Sequence, residues 1–98
     1  MPLIRLMRVL VSYDVVLDRR RTRVARCLES YGLRVQYSVF ECELTVPIHA
    51  RLVAELEKLI EPAEDSLRIY PLCARCVGML TTMGREAPAK MEDDGFFF

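Results

Sequence analysis

The chain has 98 residues, 52% of them hydrophobic, and its formal net charge is zero. This length and composition predict one globular domain with a modest core and argue against a disordered chain. The apolar runs are far shorter than the ~20 residues of a membrane span. The N-terminal stretch, which Arg5 and Arg8 interrupt, lacks the long apolar region and the cleavage site of a signal peptide. We therefore expect a cytoplasmic protein that does not enter a membrane and whose four cysteines are reduced.

The charges are distributed unevenly along the chain. Residues 1–38 carry eight arginines and three acidic residues, a net charge of +5, and residues 39–98 carry a net charge of −5. This distribution favours a basic face that binds a polyanion, with an acidic face elsewhere. In the alternative, the charges of the two parts interleave in space and cancel.

The first strand and the first helix are predicted near the N-terminus. Met7–Tyr13 is nearly continuous in apolar character, as is typical of a buried central strand, and Asp14 follows at its C-terminal end. Asp18 is a suitable N-cap for a helix over Arg19–Tyr31. The apolar stripe of this helix consists of Val24, Cys27, Leu28 and Tyr31. Gly32 is expected to end the helix in the left-handed C′ conformation.

The middle of the chain predicts two strands and a second helix. Arg34–Thr45 alternates between apolar and polar residues but is long for one strand, so we expect two strands with a bend near Ser38–Glu41. The second helix starts at Thr45 or Val46, has a proline in its first turn, and runs to about Ile60.

The remaining elements complete the predicted fold. A strand covers Ser66–Leu72, and after a turn at Cys73–Cys76 a last core strand covers Val77–Thr82. The order β-α-β-β-α-β predicts an α+β, ferredoxin-like domain over residues 1–83, with two helices on one face of an antiparallel sheet. Residues 84–98, which end in three phenylalanines, are predicted to form an exposed tail.

Asp14 is the best candidate for chemistry, because the end of a central strand holds a carboxylate rigidly. Mg²⁺ prefers oxygen ligands and takes one or two carboxylates together with water and phosphate oxygens. Two copies of Asp14 that meet across a two-fold axis would make a better site than one. A metal ion there would activate water and neutralise charge on a scissile phosphate. The alternative is that Asp14 caps the strand-to-helix loop by accepting hydrogen bonds from backbone amides.

Arginines form the second candidate site. They are Arg19, Arg20, Arg21, Arg23 and Arg26 in the first predicted helix, and Arg34 beyond it. Arginine binds phosphate through its planar fork, and Glu29 is the only acidic residue in this helix that could offset the charge at helical spacing. This pattern favours a polyanion-binding face, and the alternative is a solvated face. The pattern leaves three kinds of anion open: a nucleic acid, a nucleotide or an acidic protein.

The pair Cys73 and Cys76 has the C-x-x-C spacing of half a zinc site. No second cysteine or histidine pair lies at zinc-ribbon spacing, and His49 is the only histidine. The pattern therefore favours a turn with two small thiols over a metal or redox site.

Three blocks of the sequence together resemble one family. They are VSYDVV, DRRRTRVARCLESYGLRVQYSVFECEL and DSLRIYPLCARC. The first block has a tyrosine and Asp14 at the end of the first predicted strand. The second contains the arginine-rich helix and the GLRVQYSVFE segment, and the third contains RIYPLC near the end of the domain. In this order, from about Arg8 to Gly84, they resemble the small CRISPR-associated proteins named Cas2.

The resemblance implies a homodimer of ferredoxin-like subunits that acts at the spacer-acquisition stage of prokaryotic antiviral immunity. The dimer would bridge integrase subunits and bind captured DNA. The resemblance also implies a metal-dependent endonuclease for single-stranded RNA or double-stranded DNA, with Mg²⁺ or Mn²⁺ held by Asp14. Nucleic-acid contacts are implied for Arg21, Arg23, Arg34, Ser38 and Phe40.

Two alternatives remain open at this stage. One is a structural adaptor that binds DNA and the integrase without catalysis, and the other is a toxin-like ribonuclease of similar fold. The resemblance does not cover the tail, which either adds a strand to the partner subunit's sheet, anchored by Phe96–Phe98, or frays.

Overall fold

One face of a four-stranded sheet packs against two helices, and burial therefore alternates along the strands. The computed structural model describes residues 5–84. Its elements are β1 (Met7–Asp14), α1 (Asp18–Glu29), β2 (Gly32–Gln36), β3 (Val39–Leu44), α2 (Val46–Leu59), β4 (Ser66–Leu72) and α3 (Ala74–Gly78). The strand order is β2-β3-β1-β4, and every neighbouring pair is antiparallel. The predicted ferredoxin-like βαββαβ fold is therefore confirmed.

The core lies between the sheet and the helices α1 and α2. Its fully buried side chains are Val9 and Val11 of β1, Phe40 and Cys42 of β3, Val24 and Leu28 of α1, and Leu52 of α2. Burial of each large apolar side chain stabilises the fold by about 1.5–3 kcal/mol. The predicted stripe of the first helix is confirmed, because Cys27 and Tyr31 also pack against this core.

The other side of the sheet, which we call the open face, carries the alternate residues. Antiparallel pairing puts directly opposite residues on the same face, and here Leu10 lies opposite Tyr70, Ser12 opposite Arg68, and Asp14 opposite Ser66. Glu41 and Glu43 of β3 lie on this face too, beside Arg8 of β1. None of the helices within residues 5–84 is long and apolar enough to cross a membrane.

Two predicted features differ in the structure. Val77–Thr82 is not a strand, because the Cys73 sulfur accepts a hydrogen bond from the Cys76 backbone N–H and starts the short helix α3 instead. Gly32 does not take a left-handed conformation; among the described residues only Gly84 has a positive φ. Gly32 begins β2, where a Cβ atom would lie 2.2 Å from the backbone oxygen of Glu41.

The start of α1 also differs from the prediction. Asp18 is the first helical residue, and the N-cap position belongs to Leu17, which provides no side-chain hydrogen bond. By contrast, the predicted start of the second helix is confirmed: the Thr45 side chain accepts a hydrogen bond from the Ile48 backbone N–H. The predicted tail, with Phe96–Phe98, lies outside the described residues apart from Gly84.

Candidate metal and nucleic-acid site

Asp14 ends β1 on the open face, and its side chain is exposed. Ser66, the first residue of β4, lies opposite it on one side. On the other side the Tyr13 backbone N–H donates a 3.1 Å hydrogen bond to the Ser38 carbonyl. The turn between β2 and β3 therefore reaches the same end of the sheet, and it brings Ser38 close to Asp14.

The Asp14 carboxylate has no hydrogen-bond or ion-pair partner within residues 5–84. It therefore does not cap the strand-to-helix loop, which was the structural alternative for this residue. An exposed, unengaged carboxylate at the end of a paired central strand is a suitable oxygen ligand for a hard cation.

Asp65, a residue that the sequence did not single out, holds the loop instead. Its side chain is fully buried, with 0% exposure. Its oxygens accept hydrogen bonds from the backbone N–H of Val16 at 2.9 Å and of Glu61 at 2.8 Å. They also accept two from Arg20, from Nε at 2.8 Å and from Nη2 at 3.2 Å. These donors, the Arg20 guanidinium above all, keep the pKa of Asp65 well below its usual range.

Two of the predicted nucleic-acid contacts, Arg20 and Arg21, are engaged within the fold. Arg20 also pairs with Glu64 at 2.8 Å, and the two acids raise the pKa of its guanidinium. Arg21 donates to the backbone oxygens of Val15 and Val16 and pairs with Asp18. Both side chains therefore fix residues 15–17, between β1 and α1, and so position Asp14.

The remaining arginines of α1 form one exposed stripe, which we call the arginine stripe: Arg19, Arg23 and Arg26. They recur at i, i+4 and i+7, so they share one side of the helix. In the part of the chain that the structure describes, none of the three has an ion pair or a hydrogen bond. Three adjacent, unneutralised guanidinium groups suit a run of phosphates. The stripe belongs to the helix layer, and Asp14 belongs to the open face.

The predicted contacts Arg34 and Phe40 lie opposite each other on β2 and β3. The Arg34 guanidinium carbon lies 5.2 Å from the centroid of the Phe40 ring, a cation–π contact that orients the exposed arginine. Phe40 itself is 0% exposed and stacks on Tyr13 with ring centroids 6.3 Å apart. Its ring has no surface to offer a nucleic acid, so its contribution is to support Arg34.

Arg68 is a further cation near Asp14 that the sequence analysis did not select. It lies opposite Ser12 on the open face, one diagonal position from Asp14, where Cα atoms are roughly 7–8 Å apart. Its guanidinium donates to the Tyr70 hydroxyl at 3.2 Å, which raises the pKa of Arg68. Only the strand register shows this proximity, since 54 positions separate the two residues.

The charges of the two parts of the chain interleave only in part. Arg8 pairs with Glu41 at 3.5 Å and with Glu43 at 3.0 Å, and Arg20 pairs with Glu64 and Asp65. These ion pairs neutralise part of the excess positive charge of residues 1–38. The arginine stripe keeps its charge, so the predicted basic face is narrower than the sequence suggested.

A single chain offers few ligands for a metal ion. Within residues 5–84 no group of three or more histidine, cysteine, aspartate or glutamate side chains could hold one. One free carboxylate at the end of β1 is compatible with Mg²⁺, which keeps several waters and needs one or two carboxylates. The donor set therefore fits the ion best if two chains each supply Asp14 to one site.

Known proteins are similar to this chain in sequence and in fold. The family described as CRISPR associated protein Cas2 matches residues 7–80. CRISPR-associated endoribonuclease Cas2 4 of Rhodospirillum rubrum is 48% identical over 77 residues, 79% of this chain and 62% of that relative. CRISPR-associated endoribonuclease Cas2 1 of Chloroflexus aurantiacus is 44% identical over 86 residues, 87% of this chain and 92% of the relative. A chain in a partial Cas6-RT-Cas1–Cas2 complex is 31% identical with a TM-score of 0.68, covering 79% of this chain and 84% of that chain.

Proposed function

Because the chain belongs to the CRISPR-associated Cas2 family, we propose that it is a cytoplasmic, homodimeric endonuclease of the spacer-acquisition stage of prokaryotic antiviral immunity. Its substrates are phosphodiester bonds of single-stranded RNA or double-stranded DNA. The observation that carries the proposal is the exposed Asp14 carboxylate at the rigid end of β1, which no other residue within 5–84 engages. Two relatives carry the name endoribonuclease, which supports the same reading.

The dimer is proposed to form through the open face of the sheet. Leu33, Tyr70 and Leu10 bring apolar surface to this face, and Leu33 and Tyr70 remain exposed in the single chain. In an isologous dimer, a residue that lies near the two-fold axis meets the same residue of the other copy. Asp14 lies on this face at the end of the central strand β1, so two copies can direct their carboxylates to one site.

In this proposal Asp14 of each subunit would hold Mg²⁺ or Mn²⁺. The ion, when bound, supplies an activated water and neutralises charge on the phosphate. Arg68, beside Asp14 on the open face, binds and orients the scissile phosphate. Asp65, Arg20 and Arg21 act as positioning residues, because they fix the loop that follows Asp14.

The arginine stripe and Arg34 are proposed to bind the backbone of the nucleic acid away from the scissile bond. Contacts to phosphates position a protein on a duplex but carry no sequence information. We therefore expect binding that is strong at low salt and nearly independent of sequence. This property suits a protein that receives DNA fragments of any sequence.

Cleavage assays test the catalytic proposal. Labelled single-stranded RNA and duplex DNA are incubated with the wild-type chain, Asp14→Ala and Glu57→Ala, in Mg²⁺, Mn²⁺ or chelator. Glu57 is the control, because its carboxylate is also exposed and without a partner within residues 5–84 but lies on α2, away from the open face. We expect metal-dependent cleavage that falls at least about 100-fold in Asp14→Ala and persists in Glu57→Ala. Cleavage that continues in chelator, or that survives loss of Asp14, would overturn the proposal.

A second candidate is an adaptor without catalysis, which bridges an integrase and DNA. The shortage of metal ligands within residues 5–84 favours it, as does the similar chain found in a Cas1-containing complex. In that case duplex binding would survive Asp14→Ala and would weaken with salt, while no variant would cleave either substrate.

A further inference from the structure

Two cysteines on the surface lie within contact of each other. The Sγ atoms of Cys73 and Cys76 are 3.4 Å apart, and both residues are exposed. The Cys76 backbone N–H donates a 3.4 Å hydrogen bond to the Cys73 sulfur, which fixes the first sulfur toward the second. The nucleic-acid function proposed above uses neither residue.

The other two cysteines have a different environment. Cys42 is buried in the core and Cys27 is half-buried beside Glu55, with Sγ 3.5 Å from Oε1. Burial raises the pKa of each thiol to about 11, so both remain protonated near neutral pH. They serve as packed side chains and provide an internal control.

We propose that Cys73 and Cys76 form a reversible dithiol–disulfide site that reacts with low-molecular-weight disulfides. A covalent bond requires the two sulfurs to approach to about 2.05 Å, roughly 1.4 Å closer than they are now. Rotation of two exposed side chains supplies that movement without disturbing the sheet, because both cysteines follow the end of β4.

The reaction runs through two exchange steps. The Cys73 thiolate attacks one sulfur of the small disulfide, forms a mixed disulfide and releases one small thiolate. The Cys76 sulfur, after losing its proton to solvent, attacks Cys73 Sγ and releases the second small thiolate. The protein loses two protons and two electrons, and the small disulfide is reduced to two thiols.

Cys73 is the attacking group because of its hydrogen bonds. The Cys76 backbone N–H, and then the Cys76 thiol, stabilise the Cys73 thiolate and lower the pKa of Cys73. The same contact raises the pKa of Cys76, as expected for the resolving thiol. A metal site is a weaker interpretation, since two sulfurs are half of a zinc set and no third ligand joins them within residues 5–84.

Thiol counting and intact mass after incubation of the full chain with oxidised glutathione test this proposal. The wild-type protein should lose two of its four thiols and about 2 Da, and dithiothreitol should restore all four. Cys27→Ser should behave alike, losing two of its remaining thiols. Cys76→Ser should retain a glutathione adduct at Cys73, whereas Cys73→Ser should form its adduct at Cys76 more slowly, because that variant lacks the thiolate that the Cys76 backbone N–H stabilises.

Three results would overturn the proposal. They are a wild-type chain that keeps all four thiols, one that accumulates a stable glutathione adduct at Cys73, and one that forms a disulfide between two chains in place of the internal one. Because both cysteines are exposed, their serine variants should fold, and thermal melting verifies this before the reaction is measured.

Discussion

The carboxylate of Asp65 holds the guanidinium of Arg20 through two hydrogen bonds, of 2.8 Å from Nε and 3.2 Å from Nη2. The same carboxylate accepts the backbone N–H of Val16, so the turn before β4 is tied to the loop after β1. That loop consequently needs no cap from Asp14. The Asp65 side chain is therefore buried and holds this loop, whereas Asp14 is exposed and has no partner within residues 5–84.

Replacement of Asp65 by Asn should lower Tm by about 5–15 °C at neutral pH, because Arg20 loses its buried charged partner and keeps only the exposed Glu64. The folded-state pKa of Asp65 is depressed, so its ionised form stabilises the protein above about pH 4, and this stability is lost as the pH falls further. Thermal melting from pH 3 to 7 measures both effects. The wild-type Tm should drop more steeply on acidification than that of Asp65→Asn, and parallel curves would contradict the assignment.

Removal of the arginine stripe should weaken duplex binding without unfolding the chain. The variant combines Arg19→Ala, Arg23→Ala and Arg26→Ala. The salt slope is the change of log K for duplex binding with log [salt]. Each lost phosphate contact should reduce the magnitude of this slope by about 1. Fluorescence anisotropy at several salt concentrations gives this slope. Arg51→Ala is the control, since Arg51 pairs with Glu55 on α2. An unchanged slope in the triple variant would show that the stripe is only solvated.

Gly32→Ala should destabilise the fold by about 2–3 kcal/mol, because its methyl group would meet Glu41 backbone oxygen at 2.2 Å and Cys42 Sγ at 2.6 Å. The strands β2 and β3 would have to separate. Gly78→Ala is the matched control, since a Cβ there meets nothing within 4 Å. Urea denaturation compares the two. Equal stability of Gly32→Ala and Gly78→Ala would contradict the claim that the close approach of β2 and β3 requires a glycine at position 32.

Dimerisation through the open face predicts that a charge at its centre favours the monomer. Tyr70→Asp puts a carboxylate on this face, opposite Leu10. Tyr37→Asp is the control, because Tyr37 is an exposed tyrosine in the turn between β2 and β3. Sedimentation velocity should show a monomer for the first variant and a dimer for the wild type and the second. A dimer that survives Tyr70→Asp would place the interface elsewhere.

The sequence was sufficient to predict the elements whose signals are local. The apolar run of β1, the stripe of α1 and the Thr45 cap are short-range patterns, and each lies where it was expected. One error was local, since the Cys73 sulfur starts α3 where a strand was expected, and the others arose where distant residues decide the structure. Asp65 acts on Val16 from 49 positions away, and no local pattern indicates it. The sequence pattern indicated that Gly32 ends a helix. In the structure a glycine is needed there because Glu41 and Cys42 of the adjacent strand β3 leave no room for a Cβ atom.

The residues of the candidate site were likewise predictable where the signal is local and not where it depends on distant residues. Asp14 was predictable because it closes an obvious strand, and the arginines because they cluster in sequence. Which arginines remain available depends on partners from the other half of the chain, such as Glu64 beside Arg20. The proximity of Arg68 to Asp14 depends on the register between β1 and β4, which no sequence pattern specified.

The most direct test of this account is the stoichiometry of Mn²⁺ binding, measured by electron paramagnetic resonance titration of the wild type, Asp14→Asn and Asp18→Asn. If two copies of Asp14 share one ion, the wild type and Asp18→Asn should bind about one Mn²⁺ per two chains, and Asp14→Asn should lose that site. Asp14→Asn should also melt within about 2 °C of the wild type, since nothing within residues 5–84 is bonded to that carboxylate. Undiminished Mn²⁺ binding by Asp14→Asn would contradict the claim that this carboxylate is kept free to hold a metal ion.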